Sequence, residues 1–177
     1  MYVRSIAVAL GSAIALNLPA YLAPSFTLET TGAVHLTAVG HDARYGVIGD
    51  EGSSILTVSL GAAGTGSALQ LRMPGAGLPP EGRYPIRSSW EDKAATAPAF
   101  HAFFAAGSPE RPLGWFHGES GTVTITEAAD GQLSGSFEIQ ARGFLTADIS
   151  EQEHWLTVTG SFKAQGDSTV KTIATAQ

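Results

Sequence analysis

The side chains best equipped for chemistry in this 177-residue chain are five histidines and sixteen carboxylates, and their spacing limits what they can do. His35 and His41 stand on either side of "LTAVG", with Asp42 beside the second. On one continuous strand they would share a face about 20 Å apart, at roughly 3.3 Å per residue, too far to hold one ion. "WFHGES" places His117 and Glu119 at i, i+2 on one strand face, where a zinc ion would still need ligands from elsewhere. "SEQEHW" gathers Glu151, Glu153 and His154 before Trp155. Two carboxylates are what general acid–base work requires, yet nothing here holds a partner pair at a defined distance, and the stretch reads as a solvated turn entering a strand. Serine fares no better. "GESG" at 118–121 lacks the glycine spacing of a nucleophile elbow, and "GDS" at 166–168 falls in the C-terminal tail. "GAAGTG" lacks the lysine and the strand–helix context of a phosphate loop. With no cysteine, disulfides, thiolate metal sites and a thiol nucleophile are excluded. The expectation is a protein without catalytic, cofactor-binding or metal-binding residues.

Aromatic residues offer a different chemistry. Trp90, Phe100, Phe103, Phe104, Trp115 and Phe116 crowd residues 90–116, interrupted by "GSPERPLG". "FHAFF" puts aromatic bulk on both faces of one strand, whereas a half-exposed strand keeps one face polar. Part of this window therefore serves either as core or as a docking surface, where buried aromatics carry most of the binding energy. Phe103, Trp115 and Phe116 are the candidates. Trp90, beside Glu91 and Asp92, is a candidate for a membrane interface.

The elements that must position these residues are strands. From residue 25 onward, period-two alternation and turn residues dominate. "SFTLETTGAVHLTAVG" reads as one long or two broken strands, with Val34, Leu36 and Ala38 on one face and His35, Thr37 and Val39 on the other. "ARYGVI", "SSILTVSL" and "SALQLRM" follow as short strands. "PGAGLPPEG" is a loop, and "RYPI" is edge-like because Pro85 cannot donate to a ladder. "SSWEDKAATAPA" suits a helical turn or an excursion, and "FHAFFA" resumes the strand pattern. The clearest hairpin is "GTVTITEAADGQLSGSFEIQA", in which Asp130-Gly131 joins residues 122–126 to residues 133–139. "EHWLTVTGSFKA" is the last strand. Its Thr159-Gly160-Ser161-Phe162 echoes Ser134-Gly135-Ser136-Phe137, as two neighbouring antiparallel strands built alike would. About nine or ten strands without an internal amphipathic helix define an all-β antiparallel sandwich or barrel. Residues 25–177 form this β-domain with its C-terminal tail, and residues 1–24 an apolar segment expected to be helical.

That segment sets Arg4 before an apolar run over residues 6–18, the order of a secretory signal. Its cleavage region is poor: Leu18 stands two positions before Ala20, and Pro24 follows Ala23. As a retained anchor, residues 5–23 would reach roughly 28 Å as a helix against a hydrocarbon core of about 30 Å. Asn17 and Pro19 weaken its last third, so it would span marginally or lie near the interface. Ala7, Gly11 and Ala15 form a small-xxx-small stripe suited to close helix packing. Arg4 before the run and an acidic domain after it place the domain on the periplasmic side. The formal net charge is −6, and Arg72, Arg83, Arg87 and Lys93 are dispersed along the chain, which excludes nucleic acid as the natural partner.

The "GTVTIT" hairpin and the "VTGSF" strand resemble small exported bacterial β-domains, a likeness that covers about the last third of the chain and implies no activity. The overall plan, an acidic cysteine-free β-domain behind a retained apolar segment, is similar to the membrane-extrinsic subunits of bacterial photosynthetic reaction centre–light-harvesting complexes. That resemblance implies a non-catalytic structural subunit, holding reaction centre and antenna polypeptides together on the periplasmic side of the inner membrane. The alternative is an exported β-barrel carrier of a small apolar ligand. A third reading, an exported hydrolase, needs His117 or His154 near a serine or a carboxylate.

Overall fold

The computed structural model describes residues 23–49, 54–61, 66–88, 97–129, 131–150 and 152–166. The expected N-terminal helix, the excursion at 89–96 and the "GAAGTG" interior lie outside them. Among the described residues there is no helix, and the chain is all-β. The strands are β1 (Ser25–Gly32), β2 (Leu36–Gly40), β3 (Ala43–Ile48), β4 (Ile55–Leu60), β5 (Ala68–Pro74), β6 (Gly82–Pro85), β7 (His101–Ser108), β8 (Arg111–Ala129), β9 (Gln132–Leu145) and β10 (His154–Gly166). "SFTLETTGAVHLTAVG" thus breaks into an antiparallel hairpin, β1–β2. Gly32, at φ +105°, makes the break, and the buried Thr30 hydroxyl closes it by donating to the Val34 carbonyl at 2.8 Å.

One sheet holds all ten strands in the order β2–β1–β10–β3–β4–β5–β7–β8–β6, with β9 between β8 and β10. The pairings therefore return to their start through β10, β3, β4, β5, β7, β8 and β9. Two long strands make the circuit possible, because each serves two partners along one edge. β10 takes β1 along residues 156–163 and then β3, in parallel, at Gln165↔Arg44 and Gly166↔Tyr45. β8 takes β7 near its start and β6 near its end. β9 lies along the other edge of both. The β8–β9 hairpin turn falls where expected, with Ala129 opposite Gln132 and Gly131 at φ +79°. β6 ends the strand order, as its proline requires.

Period-two alternation sends one face of every strand of the circuit inward. Leu56, Val58, Leu69, Leu71, Phe104, Phe116, Val123, Ile139, Leu156 and Val158 belong to a single buried cluster that draws on the whole sheet. Phe104 and Phe116 face each other across β7–β8, with ring centroids 6.3 Å apart. On β1–β2, Val34 is buried and Leu36 and Ala38 half-buried, while His35, Thr37 and Val39 face outward, as the alternation predicts.

Candidate functional site

The same alternation puts the odd-numbered residues of β7 and of the first part of β8 on the outer face. There the register aligns them with the outward residues of β9 and β10. One row runs Gln70–Phe103–His117–Arg142–Trp155 across β5, β7, β8, β9 and β10. The next runs Ala68–Ala105–Trp115–Phe144. The two rows expose a band of large apolar surface: Phe103 at 36%, Trp115 at 47%, Phe144 at 45% and Trp155 at 55%, with Leu113 also exposed. Single exposed apolar side chains are ordinary, but four aromatics in adjoining register positions form a patch of the kind that marks an interaction surface.

Arg142 organises the band. Its Nη2 and Nε donate to Glu119 Oε1 at 3.2 and 3.3 Å, and its Nη1 reaches Glu153 Oε2 at 3.0 Å. Its guanidinium carbon also lies 5.7 Å from the centroid of the Trp155 ring. All three guanidinium nitrogens are thus engaged, so the arginine holds two acidic side chains and one indole in defined places. On the other side of the band, the Phe103 and His117 rings lie 5.8 Å apart at 52°. Glu119 reaches Arg142 beside a register shift between Gly118 and Ser120, on the same outer face as His117.

The β9–β10 connection carries a second polar pair. His154 Nε2 donates to Asp148 Oδ2 at 2.6 Å, and the Ser150 amide donates to Asp148 Oδ1 at 2.8 Å. Hydrogen bonds from Ser150, then that of His154, hold the Asp148 carboxyl down at about 2, against 3.8 ordinarily. The pair meets half of what a hydrolase needs, a histidine beside a carboxylate. The Ser150 hydroxyl, however, accepts from the Gln152 amide at 3.4 Å, and the group as a whole ties a turn. Among the described residues no group of three or more His, Asp or Glu side chains is placed to hold a metal ion. Nor do they include a helix long and apolar enough to cross a membrane.

Of the residues singled out from sequence, Phe103 and Trp115 lie on the outer band. Phe116 does not. It is fully buried, because alternation turns it opposite to Trp115 and against Phe104, so its reading as a docking residue is corrected to core. Ala7, Gly11, Ala15 and Trp90 lie outside the described residues. Trp155, Phe144 and Arg142 were missed. For Trp155 the signal was present: Leu156 and Val158 must face inward, which turns its indole out. For Arg142 it was not, since its place opposite His117 and Trp155 depends on register between strands distant in sequence. Comparison with family models, curated proteins and solved structures finds no match.

Proposed function

We propose that this chain is a non-catalytic docking domain, whose outer aromatic band binds a partner protein. The observation that carries the reading is the Phe103–Trp115–Phe144–Trp155 band built around Arg142. Aromatic and arginine side chains dominate the energetics of protein interfaces, and here they stand preorganised on a rigid sheet, which reduces the ordering cost of binding. The circuit of pairings supports a barrel rather than a sandwich for the scaffold. One buried cluster occupies the inward positions, where a carrier of apolar ligands would keep a cavity, and this favours docking over carriage.

The apolar N-terminal segment supplies the setting: an anchor in or on the membrane, with the β-domain on the periplasmic side. Membrane-protein subunits are then the partners, reaction centre and antenna polypeptides being the class implied by the overall plan. The test is purification from native membranes in mild detergent, comparing the natural chain with a Trp115→Ser/Phe144→Ser/Trp155→Ser variant. The expected result is a variant that folds and stays with the membrane but loses its stoichiometric protein partners. Unchanged partners would overturn the docking reading.

A further inference from the structure

Beside the aromatic band, toward β5, the outer face holds an apolar slot of about 430 Å³, floored by Ala68 and Ala105 and walled by Phe103, Trp115, Pro109 and Pro112. Its size falls in the range that small ligands occupy. The floor is low because the register sets Ala68 opposite Ala105, two methyl groups beside a row of rings. The rim comes from an irregularity in the β7–β8 hairpin. Pairing shifts register between Ala106 and Gly107, and Gly107 stands at φ +84°, so the end of the hairpin bends. A side chain at Gly107 would run into the Arg111 carbonyl oxygen, which makes glycine necessary there. The Gly107 amide donates to Ser67 Oγ at 3.0 Å and ties the bend to the approach to β5. Pro109 and Pro112, with their fixed φ, stiffen it.

The polar groups that line this slot are hydrogen-bond donors. Arg72 Nη2 donates to Gln70 Oε1 at 2.7 Å. A guanidinium cannot accept, so this bond fixes which end of the Gln70 carboxamide is oxygen and leaves Nε2 to donate elsewhere. Ser108 Oγ accepts from the Arg111 amide at 3.2 Å, which leaves its O–H as a donor. The Trp115 indole N–H can only donate. Among the described residues none of these donors meets an acceptor. Recognition here works through N–H and O–H groups and ring faces, and the sign of no charged side chain enters it. The residues that continue the chain from Gly61 to Gly66, at the edge of the slot, are Ala62, Ala63, Gly64 and Thr65, none of them ionisable.

We propose that the slot binds a small flat ring system bearing a conjugated carbonyl, packed against Phe103 and Trp115 with its oxygen toward the donors. The complementarity is one of partial charges. A carbonyl oxygen accepts from N–H and O–H groups that have no acceptor in the described protein. Conjugation to that carbonyl also draws electrons out of the ring, whose face is then better matched to the negative faces of indole and phenyl. A hydrocarbon ring of the same outline gains only the contact. The ligand lies on the outside of the sheet, so it needs no emptying of the core. It leaves Phe144 and Trp155 uncovered, and the proposal therefore does not depend on the docking reading.

The probes are chromone and naphthalene, flat bicyclic molecules of similar outline, of which only chromone has a carbonyl. Both are titrated calorimetrically into the full chain in phosphatidylcholine nanodiscs, with empty nanodiscs as the blank. Chromone is expected to bind at one saturable site, about tenfold more tightly than naphthalene. Gln70→Leu/Ser108→Ala, which removes two donors and leaves the walls, should reduce that preference to about threefold or less. Ala105→Leu, which raises the floor, should abolish chromone binding while the far-ultraviolet circular dichroism stays native. Phe144→Ser/Trp155→Ser should leave chromone binding unchanged, which separates the slot from the docking band. Naphthalene binding as tightly as chromone, or a preference that survives loss of the donors, would overturn the proposal. So would the absence of saturable chromone binding to the natural chain, or its loss in the Phe144→Ser/Trp155→Ser variant.

Discussion

Two glycines show how single residues hold this sheet together. The echoed Gly-Ser-Phe segments of β9 and β10 are paired so that Gly135 faces Phe162 and Gly160 faces Phe137. Each phenylalanine lies over the glycine across from it, and the two rings stack with centroids 6.5 Å apart. A side chain at Gly160 would meet Phe137 Cζ at 2.6 Å and run into the Thr27 backbone carbonyl, neither of which can retreat without disturbing a strand. Gly131 is glycine for another reason: its φ of +79° suits the hairpin turn, and nothing lies within 4 Å of a Cβ added there. Gly160→Ala is therefore expected to cost about 3 kcal/mol, at the upper end of the overpacking range. Gly131→Asn, which tolerates positive φ, should stay within about 0.5 kcal/mol. Urea unfolding midpoints at constant slope measure both, and equal costs would contradict this account of Gly160.

At the scale of elements, the β9–β10 turn depends on one ionised carboxylate. With Asp148 at about 2 in the folded chain against 3.8 ordinarily, its contribution is fully present above 3.8. It is lost as pH falls through about 2, where the protonated acid no longer accepts from Ser150 and His154. The methyl signals of Ile149, which stands 98% exposed at the tip of this turn, are expected to shift across that window. Asp148→Asn should abolish the shift. An identical acid transition in the variant would mean that another group controls the turn.

β3 and the β1–β2 segment emerge from the sequence at their observed limits, as does the β8–β9 hairpin turn at Gly131. β8 was legible only in parts. Its 19 residues run through Gly114, Gly118 and Gly121, which in sequence resemble breaks. In the structure Gly118 lies inward, where an added Cβ would come within 2.9 Å of Ala102 and of Ile86, so it marks close packing and not a turn. The aromatic band was half legible for a related reason. Alternation reveals which side of a strand Phe103 and Trp115 take, but their neighbours Phe144, Arg142 and Trp155 are fixed by register over long separations, which a single sequence does not encode locally.

For the whole molecule, closure of the circuit matters most, and its narrowest point is the seam between β10 and β3. There, among the described residues, the register joins only Gln165↔Arg44 and Gly166↔Tyr45, whereas β8 and β9 pair along most of their length. The Gly166 amide also donates to the Gly131 carbonyl at 2.9 Å, so the end of β10 ties the β8–β9 turn to the seam. A chain ending at Ala164 loses both attachments while keeping the β10 residues that belong to the core, Leu156, Val158, Phe162 and Ala164. Truncation also removes the Gln165↔Gln132 pairing with β9, and since each lost backbone hydrogen bond contributes roughly 0.5–1.5 kcal/mol, it should cost about 2–5 kcal/mol in total. Opening of the seam should appear locally before it appears globally, because β3 would be held mainly by β4. In the truncated chain, amides of β3 are expected to exchange hydrogen well before those of β8 and β9. In the natural chain the difference should be smaller. Uniform exchange across β3, β8 and β9 after truncation would show that the sheet holds without this seam, and that the long strands alone set its stability.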